Sequence, residues 1–179
     1  MSEFSANPLE IAASEIEAFV AEAGWDQRPA LFALVRAVEF VRDDPAAAAR
    51  LGLRDVPDQA LTPIEQEQLP EGDLDELLGR IAWPESVAGC ALAHEIVVLP
   101  PSAEADLDAI ADPAESAAAA ARHPERREAR LVVAVARDGA SAAVLRLRPA
   151  LGDEAEDDLL YGPDIAPNLV RALLATLES

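Results

Sequence analysis

Trp83-Pro-Glu-Ser-Val-Ala-Gly-Cys-Ala-Leu-Ala-His-Glu-Ile-Val-Val-Leu-Pro-Pro101 is the stretch that decides the fold. Proline lacks the N–H that a sheet ladder needs, so Pro84 and Pro100 bracket an extended segment at both ends. Within it, Leu92, Ile96 and Val98 share one side of the strand, with His94 among them. Ala91, Ala93, Glu95, Val97 and Leu99 point the other way. Large residues on one side and small ones on the other mark a central strand, with a helix lying close over the alanines.

The rest of the chain can supply a core for that strand. Val, Ile, Leu and Phe make up roughly a quarter of the sequence, above the ~20% level typical of disordered chains. At 179 residues the expectation is one domain spanning 1–179. Within it, residues 44–82 form a helical or irregular insertion, and 102–128 and 150–160 are acidic or alanine-rich surface segments. The net charge is −20, and all fourteen cations are arginine. Such a balance argues against nucleic acid, whose phosphates require clustered cations, and against anionic membrane surfaces. Cys90 is the one cysteine, so no internal disulfide can form. The N-terminal residues carry no signal-peptide pattern, and no apolar run approaches the ~20 residues of a membrane span. A cytoplasmic location is expected.

Working outward, Asn7-Pro8-Leu9-Glu10 starts a helix through side-chain capping and a proline at the first helical position. Leu9, Ile16, Phe19, Val20 and Ala23 form its apolar stripe; Glu15, Glu17 and Glu22 face water, and Gly24 ends it. Residues 30–41 fit a helix, or a doubly buried strand over Ala30–Val35 followed by a helix from Ala37 to Asp43; Pro29 favours the strand. Pro45–Leu51 reads as a short helix. Thr62-Pro-Ile-Glu65 and Asp73-Leu-Asp-Glu76 read as further capping boxes, the second opening a helix over Leu74–Ile81. Ser116–Arg122 is a surface helix, Tyr161-Gly-Pro-Asp164 a turn, and Ala166-Pro167 opens a last helix buried through Leu169, Leu173, Leu174 and Leu177.

Leu131–Arg137 and Ser141–Arg148 form a hairpin around Asp138-Gly139. Two registers compete. A two-residue Asp-Gly turn sets Val133 opposite Val144. A loop extended through Ala140 sets Leu145 opposite Val133 and Leu147 opposite Leu131, which gathers the large side chains but strains Ala140. The Asp-Gly chemistry favours the first.

Chemistry-bearing residues are sparse. Cys90 and His94 share a strand side, yet positions i and i+4 of a strand stand ~13 Å apart and cannot form a nucleophile–base pair. A buried small thiol and a packed or edge histidine account for them better. His123 has no ligating companion, and the acidic run Asp153–Asp158 lacks the spacing and central glycine of a calcium loop. No catalytic residue, cofactor or metal is expected. Arg146 and Arg148 alternate on one strand side, placed either to hold a partner's carboxylates or to balance neighbouring acids. Trp25, Trp83 and Tyr161 lie at or beside turns, as core plugs or as contact anchors.

Gly24–Val35, Trp83–Leu92, Val97–Pro101 and Tyr161–Val170 together resemble an uncharacterised family of small acidic actinobacterial proteins with no assigned activity. That resemblance implies no catalytic residues. The architecture is also similar to secretion-chaperone-like domains, a likeness of fold and not of function.

The expected fold is therefore α+β: an antiparallel sheet of about four strands packed by N- and C-terminal helices, with a short-helix insertion between the first two strands. The expected function is non-catalytic, an interaction or adaptor protein that binds another protein or itself, with Trp25, Trp83, Tyr161, Arg146 and Arg148 as contact residues. One alternative is a small-ligand binder or enzyme with a site near Cys90, His94, Glu95 and Arg146. Another is an acidic decoy of nucleic acid.

Overall fold

The computed structural model describes residues 7–53, 60–66, 69, 72–98, 109–122, 126–148, 159–161 and 166–178. Six strands are present among the described residues: β1 (Ala30–Arg36), β2 (Leu61–Glu65), β3 (Gly89–Val98), β4 (Arg127–Ala136), β5 (Ser141–Leu147) and β6 (Leu159–Tyr161). They form one antiparallel sheet in the order β2-β1-β3-β4-β5-β6. The described helices are α1 (Pro8–Glu22), α2 (Ala37–Asp43), α3 (Pro45–Arg50), α4 (Leu74–Leu78), α5 (Pro113–Arg122) and α6 (Pro167–Glu178). No described helix is long and apolar enough to cross a membrane.

β3 is extended and interior, flanked by β1 and β4, and its two sides differ as the alternation requires. Cys90 and Leu92 join Leu131, Val133, Val135, Ala143 and Leu145 in a core closed by Leu173 and Leu177 of α6. On the other side Ala91, Ala93, Ala134 and Ala142 make a shallow floor, on which Leu9, Ala12, Ala13 and Ile16 of α1 rest. Burying Leu9 and Ile16 stabilises this layer by roughly 1.5–3 kcal/mol each. Gly89 is required where it stands, because a Cβ there would lie 2.2 Å from the Val135 carbonyl oxygen. The Asn7 side chain accepts from the Leu9 N–H at 3.0 Å, and Gly24 leaves the helix at φ +84°.

The strand reading of Ala30–Val35 holds: Leu31 and Ala33 enter the α6-side core, Phe32 and Leu34 the α1-side core, and the helix begins at Ala37.

The expected α+β fold, an antiparallel sheet packed by N- and C-terminal helices, holds, and two further strands, β2 and β6, extend the sheet at its edges. Several local expectations are corrected. Thr62–Glu65 is not a helix start but the body of β2, with Pro63 opposite Leu34. An outermost strand tolerates a proline, and pairing with β1 outweighs the local capping pattern. Tyr161 is the last residue of β6, paired with Val144 of β5, and the remainder of the expected turn lies outside the described residues. The short helix after Asp73 ends at Leu78, one turn early.

Neither expected hairpin register occurs. Val133 faces Ala143, Leu131 faces Leu145 and Ala129 faces Leu147. The loop is Arg137-Asp138-Gly139, closed by the Ala136 N–H donating to the Ala140 oxygen, with Gly139 at φ +92°. A three-residue loop displaced toward Arg137 thus gathers Leu131, Val133 and Leu145 on one side while glycine takes the left-handed position. Glu17, expected in water, is buried, whereas Phe19 and Ala23 of the expected stripe are exposed. Pro100, His123, the Asp153–Asp158 run and Gly162–Asp164 lie outside the described residues, as does the Tyr161 side chain.

Candidate functional site

Two polar clusters are built on opposite sides of the sheet. The first lies where α1 ends over β4 and β5. Glu17 belongs to the α1 face that meets the sheet, one turn after buried Ala13, and Arg130 and Arg146 are directly opposed on β4 and β5. Their side chains converge. Arg130 Nη1 donates to Glu17 Oε1 at 3.3 Å, and Arg146 reaches the same carboxylate through Nε and through Nη2, the latter at 3.2 Å. Glu17 and Arg130 are each 2% exposed and Arg146 22%. Removing these charges from water is costly, and mutual pairing offsets it.

Arg130 also donates from Nη2 to the Gly24 carbonyl at 2.7 Å, placing a cation at the C-terminal end of α1, where the helix dipole favours one. Its guanidinium stands over the Trp25 ring at 4.3 Å, and that of Arg148 at 5.4 Å. The connector after Gly24 is held by Glu95, whose carboxylate accepts from the Asp26 N–H at 2.9 Å and the Gln27 N–H at 2.6 Å. Asp26 adopts φ +67°, a conformation aspartate tolerates better than most residues. Arg148 binds Asp26 at 2.9 Å and also Glu128. The Arg148 hydrogen bond holds the Asp26 carboxyl below its ordinary value, and Asp26 and Glu128 push the guanidinium upward in turn.

The second cluster lies under α6. The Trp83 indole N–H donates to Thr176 Oγ1 at 3.0 Å, and that hydroxyl donates to the Leu173 carbonyl at 2.6 Å. Cys90 Sγ is 3.5 Å from Thr176 Oγ1 and 3.7 Å from the Leu173 oxygen. Burial pushes its thiol up to about 11, the opposite of nucleophile activation. Arg137 ties this layer together. It donates from Nε to Val87 at 2.7 Å, from Nη2 to Pro84 at 2.9 Å, and from Nη1 to Leu177 in the last turn of α6.

Of the expected contact residues, Trp25, Arg146 and Arg148 therefore come together, and Trp83 is on the far side of the sheet. Cys90, His94, Glu95 and Arg146 do not converge. Glu95 and Arg146 serve the α1 side, while Cys90 and His94 face the α6 side. Burial lowers the His94 pKa, keeping the imidazole neutral. Arg146, 22% exposed, pairs with Glu17. Among the described residues no group of three or more His, Cys, Asp and Glu could hold a metal ion.

Sequence reasoning missed Glu17, Arg130, Arg137 and Thr176. Glu17 carried one signal: it lies beside Ile16 and four residues after Ala13, at helical spacing for the same face. Arg130 carried another, sharing the strand side of Val132 and Ala134.

What the first cluster achieves is orientation. It fixes the rotation of α1 about its own axis, so that Ile11, Glu15, Ala18 and Glu22 are turned away from the sheet and Phe19 lies exposed along the helix flank. Ile11 is 45% and Phe19 51% exposed, Phe19 resting edge-on against Phe32 with ring centroids 6.2 Å apart.

No curated protein and no solved structure matches the chain. A family profile described as PPA1309-like protein matches residues 9–178. With nearly its whole length covered from α1 to α6, the chain belongs to the PPA1309-like protein family.

Proposed function

We propose that this is a non-catalytic interaction protein, an adaptor of the cytoplasm that docks another protein on the outer face of α1. The observation that carries this reading is the pair of exposed apolar side chains, Ile11 and Phe19, on a helix whose rotation is fixed by a buried ion cluster. Large exposed side chains on a rigid element are suited to contact, since little conformational freedom is lost on binding. The placement of Cys90 and Arg146 supports the same reading: one is held inert by burial, the other engaged by Glu17.

The test is a photo-crosslinking amino acid at Ala18, exposed between the two apolar residues, in the native cell. A reproducible adduct with one protein is expected at Ala18 and not at the exposed control position Arg122 on α5. Equal labelling at both positions, or none at Ala18, would refute the proposal.

A further inference from the structure

We infer that the outer face of α1 receives a basic, amphipathic helical segment of another protein. The inference rests on the interaction reading above and adds the chemistry of the partner.

At about 100° and 1.5 Å per residue, Ile11, Glu15, Ala18, Phe19 and Glu22 fall within roughly a quarter of the helix circumference. Ile11 and Phe19 stand ~12 Å apart along the axis, the separation of anchors two turns apart on a helix laid alongside. Between and beyond them are Glu15 and Glu22, and Ala18 leaves room for close approach. The helix carries Glu10, Glu15, Glu17 and Glu22 and no cation at all. Glu17 is spent on Arg130 and Arg146, so the outward charge is entirely acidic.

Charge complementarity selects the occupant. A second copy would set one acidic face against another, with a net charge of −20 on each chain. Anionic lipid and nucleic acid are repelled for the same reason. A segment with apolar residues on one side and lysine or arginine flanking them satisfies both the exposed side chains and the glutamates. Burial raises the Glu15 carboxyl above its usual range, a penalty on its charge that a cation beside it would relieve.

The experiment is a fluorescence-anisotropy titration of the whole protein with a synthetic helix bearing leucine on one face and lysine on the other. The same helix with glutamine for lysine is the neutral probe. The lysine helix is expected to bind, more weakly as salt rises past ~0.15 M, and the glutamine helix at least tenfold more weakly. Ile11→Ser with Phe19→Ser should weaken the lysine helix roughly tenfold. Glu15→Gln with Glu22→Gln should weaken it and flatten the salt dependence. Glu115→Gln with Glu178→Gln, exposed acids of α5 and α6, should change nothing. Because Phe19 also touches Phe32, Ala18→Arg is the companion variant: it leaves that contact intact and should still weaken binding at least tenfold.

Equal affinity for every variant would mean diffuse attraction to an acidic protein and would overturn the inference, as would equal affinity for the glutamine helix or no binding. If the lysine helix fails while Ala18 still crosslinks one partner in cells, the partner chemistry is wrong and the interaction reading stands. If both fail, both fall.

Discussion

Glu17→Ala removes a carboxylate that binds both Arg130 and Arg146. Breaking a buried ion pair from one side leaves an uncompensated charge in the interior and costs about 3–5 kcal/mol. Two features place this case near the lower bound. Arg130 keeps its bond to the Gly24 carbonyl and its position over Trp25. Arg146, 22% exposed, can turn toward water. The expected loss is therefore about 3 kcal/mol, a large share of a typical stability of about 5–15 kcal/mol. For a chain of this length it corresponds to a Tm lower by roughly 6–12 °C. Glu17→Gln, which keeps the shape and one acceptor, should lose about half as much. Urea unfolding followed by circular dichroism measures both. The decisive companion is the apolar replacement of all three groups, Glu17→Leu with Arg130→Met and Arg146→Met, which should return to within about 1 kcal/mol of the natural protein. If Glu17→Ala costs less than about 1 kcal/mol, or the triple variant is worse than the single one, the cluster is not the buried, mutually compensated unit described here.

Gly89→Ala should destabilise by about 2 kcal/mol or more, since the new methyl meets the Val135 carbonyl and only movement of β3 against β4 can relieve it; an unchanged urea midpoint would contradict this. Cys90 should resist iodoacetamide in the folded state at pH 8 and react on unfolding, because its thiol is buried and raised to about 11; rapid native alkylation would show the α6 layer to be open. His94 titrates below its ordinary 6.5 in the fold because burial disfavours the cation. The unfolded chain therefore binds the proton more readily, and the stability that neutral His94 contributes is complete above pH 6.5 and lost as pH falls through that value toward the folded pKa. The stability difference between the natural protein and His94→Gln should accordingly shift against the natural protein between pH 7.5 and 5; a flat difference would remove the burial argument.

The layers of this fold were legible in the sequence because they follow from short-range physics. Prolines and alternation define β3, Asn7 and Pro8 open α1, and the leucines of α6 recur at helical spacing. The failures arose where a local pattern competed with a distant one. Thr62–Glu65 satisfies a capping box within four residues, and nothing nearby announces the β1 edge that claims it. Asp138-Gly139 by itself favours a two-residue loop, whereas side-chain size across β4 and β5 pulls Arg137 into the turn. Charge alone puts Glu17 in water, and the fold buries it. Its partners are 113 and 129 residues away in sequence, beyond any helical or strand periodicity. Trp25 and Trp83 were both noted as turn aromatics, but their separation onto opposite layers depends on which way β3 and its neighbours face.

That separation gives the molecule two native optical reporters. Trp25 lies beside two guanidiniums at the end of α1, and Trp83 is hydrogen-bonded to a hydroxyl of α6. The chain has no other tryptophan. Replacing each in turn with phenylalanine yields emission from one helical layer at a time, so loosening of either layer during unfolding or ligand contact can be followed without any attached dye.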